Sequence, residues 1–296
     1  MDKILFIVNP VAGGGRAKKL IPLIREGMDK HKRDYHIVLT TRPGEAASIA
    51  EEEAQEYGAI VAVGGDGTVN EVSKGLIRSP GASLGILPGG TGNDMARSLG
   101  ICEDPEEALK TIIQGNRKNI DVGKVNNYKF INISSIGFDA EVVANNDKIK
   151  KIVKSSISYA ISVVYTLFSF KKKRVKISME DRVIEEDIIL LAVGNGSYYG
   201  GGMRILPMAI VDDGSFHICA VSNIGKLKML FLFPTIFKGE HIRYAEYVKI
   251  YKTNRLKVQT ANPLYLNIDG ELQHMEGEVE FSLEEKRLEV IVGIKA

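Results

Sequence analysis

The chain reads as an α/β protein, with a doubly wound domain over residues 1–123 and a mainly antiparallel β domain over residues 124–296. Three observations predict this. Short apolar runs alternate with helix-period segments through the first part, the pattern of a parallel sheet covered by helices. Glycine clusters follow three of those runs, where a strand must turn sharply into a helix. Beyond about Asp121, β-type runs succeed one another with few helices between them.

In order, Ile4 to Asn9 predicts the first strand. After Gly13-Gly14-Gly15, Ala17 to His31 predicts a helix with Leu20, Leu23, Ile24 and Met28 on its buried stripe. His36 to Thr40 predicts a strand, Glu45 to Tyr57 a helix, and Ala59 to Val63 a strand that runs into Gly64-Gly65-Asp66-Gly67-Thr68. The next helix carries Val69, Val72 and Leu76. Ser83 to Leu87 predicts the fourth strand, followed by the loop Pro88 to Asp94 and a helix around Met95 to Leu99. In the second part, strands are expected at Lys129–Ile136, Arg174–Met179, Asp187–Val193 and Phe216–Val221. More follow at Val248–Tyr251, Arg255–Gln259, Leu264–Ile268, Gly277–Leu283 and Arg287–Val292. Helical stretches at Lys150–Phe170 and Lys226–Phe237 interrupt them.

Composition excludes several classes. The chain has 296 residues, with 39 basic against 37 acidic ones, so no extended nucleic-acid surface is expected. Cys102 and Cys219 stand far apart, which supports neither a disulfide framework nor a zinc site, and a reducing compartment fits. His31, His36, His217, His241 and His274 lack metal-ligand spacing, and Cys219 reads as a small core residue. The Ile4–Val8 run is too short for the apolar segment of a signal peptide, so no export signal is expected. Ile157 to Phe170 is broken by Ser158, Ser162, Thr166 and Ser169, and is shorter than the roughly 20 residues a spanning helix needs.

Three strand-to-helix loops carry the candidate chemistry: Asn9 to Gly15, Gly64 to Asn70 and Gly89 to Asp94. Helix N-termini present unpaired amides and a partial positive charge, and glycine lets a phosphate approach them. In a parallel sheet all three loops lie at the carboxyl edge, where such folds bind ligands. Taken singly, each is equally well a tight turn. Neither GxxxxGK[ST] nor GxGxxG is present, since Lys18 stands where a third glycine would be, and the HRD and DFG segments of protein kinases are missing. Asp66 and Asp94 remain as carboxylates suited to a magnesium-phosphate complex, although aspartate is also a common turn and cap residue.

Asn9-Pro10 with Gly13, GGDGT at Gly64 to Thr68 continuing through Val69-Asn70-Glu71, GTGND at Gly90 to Asp94, and the late Asp269-Gly270-Glu271 together resemble the diacylglycerol kinase catalytic domain family. Soluble bacterial lipid kinases are the nearest relatives in that resemblance, with sphingosine and ceramide kinases sharing the domain and NAD kinases more distant. The order and spacing match along essentially the whole chain. The resemblance implies ATP and Mg2+ as cofactors, an ATP-binding first domain and a lipid-substrate second domain. It places ATP on Asn9, Gly13, Gly64, Gly65, Asp66, Gly67, Thr68, Val69, Asn70, Gly90, Gly92 and Asn93, together with Thr40 and Thr91. It places a structural magnesium on Asp213 with the carbonyls of Ile210 and Ser215, and makes Glu271 the general base, with Asp66 and Asp94 beside it and Asp269 in support. Without the resemblance, Asp213-Gly214 and Asp269-Gly270 each read as hairpin turns. Some relatives carry a lysine in the first loop; here Gly14 and Gly15 stand there, and the nearest basic residues are Arg16, Lys18 and Lys19.

The implied activity is transfer of the γ-phosphate to the hydroxyl of diacylglycerol, giving phosphatidic acid. Other acceptors stay open: a sphingoid lipid, phosphatidylglycerol or NAD, as does a nucleotide or lipid sensor without turnover. A membrane lipid substrate implies a cytoplasmic protein in transient peripheral contact with the inner face of the membrane, and leaves a homodimer open. Two regions suit that contact. One is Lys148, Lys150, Lys151 and Lys154 with Lys171 to Arg174, at the two ends of an apolar helix; the other is Leu227 with Met229 to Phe233. Both also read as ordinary core helices with charged ends. The glycine-rich Asn195 to Gly202 reads as a flap, a wall of a lipid pocket, or a plain hairpin connection.

Overall fold

The computed structural model describes residues 3–150 and 157–293. The first half holds strands β1 (Ile4–Val8), β2 (Tyr35–Leu39), β3 (Ala59–Gly64) and β4 (Ser83–Pro88), paired in parallel in the order β4-β3-β1-β2. Strands β1, β3 and β4 are buried along their whole length, as their unbroken apolar runs require when helices cover both faces. Strand β2 alternates at the edge. The helices are α1 (Ala12–Lys19), α2 (Ile21–Lys30), α3 (Glu45–Glu53), α4 (Asp66–Arg78), α5 (Asp94–Ser98) and α6 (Pro105–Gln114). The single helix expected at Ala17–His31 is two: Gly13, Gly14 and Gly15 hold left-handed backbone inside α1, and Pro22 sits in the first turn of α2. Helix α6 escaped the sequence reading although its signals are present. Asp104 caps the amides of Glu106 and Glu107, Pro105 opens the helix and Gly115 closes it in left-handed geometry.

The second half contains β5 (Arg117–Val125), β6 (Tyr128–Phe130), β7 (Ile133–Gly137), α7 (Phe138–Lys150), α8 (Ile157–Ser169), β8 (Lys173–Met179), β9 (Val183–Gly194), β10 (Phe216–Ser222), α9 (Lys226–Phe237), β11 (Val248–Thr253), β12 (Arg255–Thr260), β13 (Leu264–Ile268), β14 (Glu271–Met275) and β15 (Glu278–Ile291). Every pairing among these strands is antiparallel. Phe130, Phe216 and Phe281 meet at its centre, with ring centroids 5.7 to 6.5 Å apart. The strands expected at Gly277–Leu283 and Arg287–Val292 are one long β15, bent where its register with β5 shifts between Glu284 and Leu288. That bend carries the chain back to the first half, where Val290 pairs in parallel with Leu84 and Leu288, Val290 and Ile291 join the first core. Residue 123 falls inside β5, whose Ile120 and Val122 belong to that first core while Val125 belongs to the second. The expected helix Lys150–Phe170 corresponds to α8, with the separate α7 before it.

Candidate active site

The three glycine loops converge at the carboxyl edge of the parallel sheet. Gly13 has φ +60°, and a Cβ there would lie 2.1 Å from the Gly89 carbonyl oxygen; a Cβ on Gly90 would lie 2.2 Å from the Gly65 Cα. Only glycines allow loops this close. The Asn9 side chain donates to Thr68 Oγ1 at 3.2 Å, and the Gly89 amide donates to the Gly64 carbonyl at 2.8 Å. Among the basic candidates of the first loop, Arg16 is the one that crosses to the third, donating to the carbonyls of Gly13 and Gly90. Lys18 and Lys19 are exposed on the helix.

A cavity of about 380 Å³ opens on these loops, lined by Asn9, Gly13, Thr40, Gly65, Gly67, Thr68, Gly90 and Thr91, with Glu71 from the end of the GGDGT motif and Arg42, which sequence reasoning did not single out. A second cavity of about 360 Å³ lies on the other side of Asp66, between the two halves, and shares Thr91 with the first. Its wall includes Asp66, Val69, Asn70, Gly92 and Asp94 from the first half, and Asn132, Asp139, Asn267, Asp269 and Gly270 from the second. Val69, Asn70 and Gly92, expected to hold nucleotide, therefore face the second cavity. Asn93, left-handed at φ 54°, braces its own loop by accepting from the Gly90 amide at 3.0 Å.

Asp66 binds the start of α5, accepting from the amides of Asp94 at 2.6 Å and Met95 at 3.3 Å. Asp94 is almost fully buried and accepts from the amides of Gly201 at 2.8 Å and Gly202 at 2.7 Å. Burial lifts the Asp94 carboxyl above its usual range and the Asp66 charge adds to the lift, while the two amides and Arg97 pull it back. The segment around Gly200 is thus a wall of the second cavity, pinned by Asp94 and by Ser98 Oγ, which accepts from the amides of Ser197 and Tyr198. A Cβ on Gly92 would sit 2.5 Å from Asp66 Oδ2 and 3.4 Å from Asp94 Oδ2, so both carboxylates converge on the space this glycine leaves open. Arg97 Nη1 reaches the same place, 3.4 Å from Asp94 Oδ1 and donating to the Gly92 carbonyl at 2.5 Å, so Asp66 Oδ2 is the carboxylate oxygen here suited to a hard cation such as Mg2+, with Asp94 beside it.

The turn between β13 and β14 is a two-residue hairpin, with Ile268 paired to Glu271 and left-handed backbone at Asp269 (φ 47°) and Gly270 (φ 90°), as Asp-Gly favours. Asp269 points into the protein and accepts from the amides of Ile131, Asn132 and Ile133 at 2.8 to 3.1 Å. Burial pushes its carboxyl up to about 6 against the pull of those amides and of Lys74. Glu271 reaches the other way: Asn70 Nδ2 donates to its Oε1 at 3.0 Å and Lys74 Nζ pairs with the same oxygen at 2.5 Å. The early GGDGT helix and the late acidic turn are thus in direct contact. Lys74 gave no sequence signal beyond lying one turn after Asn70 on the same helix face.

Asp213 is placed differently. Its carboxylate meets Lys252 Nζ at 2.9 Å and His217 Nε2 at 3.0 Å; burial opposes ionisation, but these two partners hold it below its usual range. A magnesium on Asp213, Ile210 and Ser215 would have to displace an ammonium already there, so these residues as arranged do not fit one. Asp121 clamps the same turn from beneath, accepting from the amides of Gly214 and Lys286, both at 2.8 Å.

The Diacylglycerol kinase catalytic domain family matches residues 3–125, and the YegS C-terminal NAD kinase beta sandwich-like domain family matches residues 132–292. A diacylglycerol kinase of Bacillus subtilis (strain 168) is 31% identical over 274 residues, covering 92% of this chain and 90% of that protein. One from Staphylococcus aureus (strain MRSA252) is 29% identical over 267 residues, covering 90% and 84%. The crystal structure of a diacylglycerol kinase from Bacillus anthracis str. Sterne superposes with a TM-score of 0.74 at 27% identity, covering 99% of this chain and 97% of that one. An NAD kinase from Archaeoglobus fulgidus in complex with ATP shares the fold at 14% identity and a TM-score of 0.52, covering 98% and 93%. The chain belongs to the diacylglycerol kinase catalytic domain family and is an enzyme of the lipid-kinase class.

Proposed function

We propose that the protein uses ATP and Mg2+ to phosphorylate the free hydroxyl of diacylglycerol, giving phosphatidic acid. The contact of Glu271 with Asn70 and Lys74 carries this reading, because it sets a carboxylate at the junction of the glycine loops and the second cavity. In this scheme ATP lies on the glycine loops, its phosphates at the amides opening α4, where the helix dipole favours negative charge. Asp66, with Asp94 beside it, would hold the metal. Bound there, Mg2+ would neutralise charge on the phosphates. Arg16 and Arg42 are the nearby side chains of matching sign.

The acceptor hydroxyl enters from the second cavity. Glu271 takes its proton as the oxygen bonds to the γ-phosphorus, the bond from that phosphorus to the bridging oxygen breaks, and ADP departs. The transition state is loose, so positioning supplies most of the acceleration. Asp269 acts only by holding the backbone at residues 131–133, the far wall of the cavity. No step uses a metal at Asp213.

Peripheral membrane contact has a candidate surface. Helix α8 exposes Ile161, Val164, Tyr165 and Phe168 on one face, and α9 exposes Leu227, Leu230 and Phe231. The Lys226 ammonium donates to the Phe168 carbonyl at 2.5 Å, which brings the start of α9 to the end of α8. Met229 and Leu232 instead turn inward onto the core containing Phe170 and Ile189. Lys148, Lys171 and Lys172 are exposed, whereas Lys173 pairs with Glu141 and Arg174 with Glu185 and Asp187. Lys151 and Lys154 lie outside the described residues, and for Lys150 only the backbone is described.

The test is a γ-labelled ATP assay in mixed micelles with and without diacylglycerol. Labelled phosphatidic acid is expected from the wild type. Glu271→Gln is expected to lose about 10²- to 10⁴-fold in kcat with ATP affinity retained. ATP binding without lipid-dependent consumption would favour the sensor instead.

A further inference from the structure

The base of the transfer scheme sits on a part of the molecule that does little to fix it. Glu271 opens β14, the outermost strand of its sheet, whose backbone pairs only with β13 among the described residues, and it follows the two left-handed residues of the turn. Its side chain is 48% exposed. A glutamate so placed has three side-chain torsions to fix and water at hand for its carboxylate. Proton transfer demands more, because a displacement of about 1 Å can cost a factor of about 10² in rate.

Two donors on α4 supply the missing constraint. Asn70 and Lys74 stand one turn apart on the same helix face, and both donate to Glu271 Oε1, from Nδ2 at 3.0 Å and from Nζ at 2.5 Å. Glu271 Oε2 takes no hydrogen bond among the described residues, so one oxygen is anchored and the other is left to accept a proton. Asn70 is buried and well placed, but a single neutral donor lets the carboxylate pivot about that bond. The Lys74 ammonium is the second point of attachment, and a charge-assisted hydrogen bond is about twice as strong as a neutral one. Its charge also acts on the buried Asp269 carboxyl, two residues back in the same turn. Helix α4 runs unbroken from Asp66 to Arg78, so the amides that open it and the two anchors of Glu271 belong to one rigid body. The second half of the molecule brings the carboxylate, and a helix of the first half sets its distance from the phosphates.

We propose that Lys74 is a positioning residue for the phosphoryl transfer, holding Glu271 Oε1 so that Oε2 is the oxygen that takes the acceptor's proton. The hydroxyl proton passes to Oε2 as the new bond to the γ-phosphorus forms and ADP leaves; Lys74 keeps its own proton throughout. This rests on the kinase reading above for Glu271. Exposed ion pairs add little to stability, and the Lys74 side chain is 26% exposed, so the loss of this one falls on turnover and not on folding.

The experiment measures kcat and the KM values for dioctanoylglycerol and ATP, with Tm alongside, in Lys74→Met, in Lys74→Arg, and in Lys74→Met combined with Glu271→Gln. Lys74→Met should lose about 10- to 100-fold in kcat, with both KM values and Tm little changed. Lys74→Arg, which offers the carboxylate a cation again, should recover most of that loss. In the Glu271→Gln background Lys74→Met should cost nothing further, because it acts only through that carboxylate. An unchanged kcat in a folded methionine variant overturns the proposal, as does a loss that falls on KM or one that persists undiminished in the glutamine background. Should the methionine variant not fold, Lys74→Gln, a neutral donor one bond shorter, is held to the same outcomes. An active wild type indifferent to Lys74 leaves the kinase reading standing, whereas a wild type that makes no labelled phosphatidic acid overturns that reading and the role of Lys74 together.

Discussion

In the proposed scheme, turnover depends on a space no larger than the one above Gly92. A methyl group there would stand 2.5 Å from Asp66 Oδ2. Gly92→Ala is therefore expected to lower kcat by at least about tenfold and weaken the Mg2+ dependence with Tm little changed, because it pushes a carboxylate oxygen away from the reacting phosphates. Unaltered Mg2+ titration of activity would show that the two carboxylates do not share the ion. Asp269 is a second residue-scale case. Its carboxyl is raised from 3.8 to about 6, so the native state holds this proton more tightly than the unfolded chain does. Its contribution to stability is therefore fullest below about pH 4 and is lost as pH rises through about 6. Asp269→Asn removes that negative slope. Tm plotted against pH should climb more steeply over this window in the variant than in wild type, whatever the offset caused by the altered hydrogen bonds. Parallel curves would mean the carboxyl titrates normally.

Among elements, α8 and α9 are the ones whose sequence and burial disagree most. Both are strongly apolar, yet each leaves three or four large side chains in solvent on a single face, a pattern that belongs to a surface in contact with something apolar. Replacing Phe168 and Phe231 together by serine should reduce binding to anionic vesicles about 10- to 100-fold, with activity on a soluble short-chain lipid retained, since each phenylalanine is worth up to about 3 kcal/mol when buried. Cosedimentation with vesicles measures it, and undiminished binding would move the contact elsewhere. The glycine-rich segment after β9 shows the reverse relation. Three successive left-handed glycines suggest freedom, but their amides are used: Gly201 and Gly202 bind Asp94. The glycines permit an unusual backbone that hydrogen bonds then hold.

For the molecule as a whole, β15 is the tie. It pairs with β12 and β5 in the antiparallel part and reaches β4 in the parallel part, so the two cores share it, as they share β5. A single cooperative unfolding transition is expected. Leu288→Ala, in the returning end, should lower the stability of the entire protein by about 2–5 kcal/mol without splitting that transition. Two resolved calorimetric peaks would show that the halves unfold independently. The same return path explains why Glu271 sits against α4: the strand next in sequence is anchored to the first sheet, and Asn70 and Lys74 complete the join.

Much of this was legible in the chain itself. Unbroken apolar runs at Ile4–Val8 and Ala59–Val63 dictate buried parallel strands, and the glycines after them dictate loops that let backbone amides face a ligand. Asp269-Gly270 dictates its own turn because few other pairs adopt two left-handed residues in succession. These are local constraints, written in neighbouring residues. What the tertiary structure decided depends on residues far apart in sequence: Lys74 beside Glu271, Arg16 beside Gly90, Lys252 on Asp213 and Asp269 on the amides of residues 131–133. Periodicity says which face of an element is buried and turn chemistry says where it ends. Neither says which two polar side chains are brought together, because that is set by how strands distant in the chain pair, and the paired groups leave no local trace.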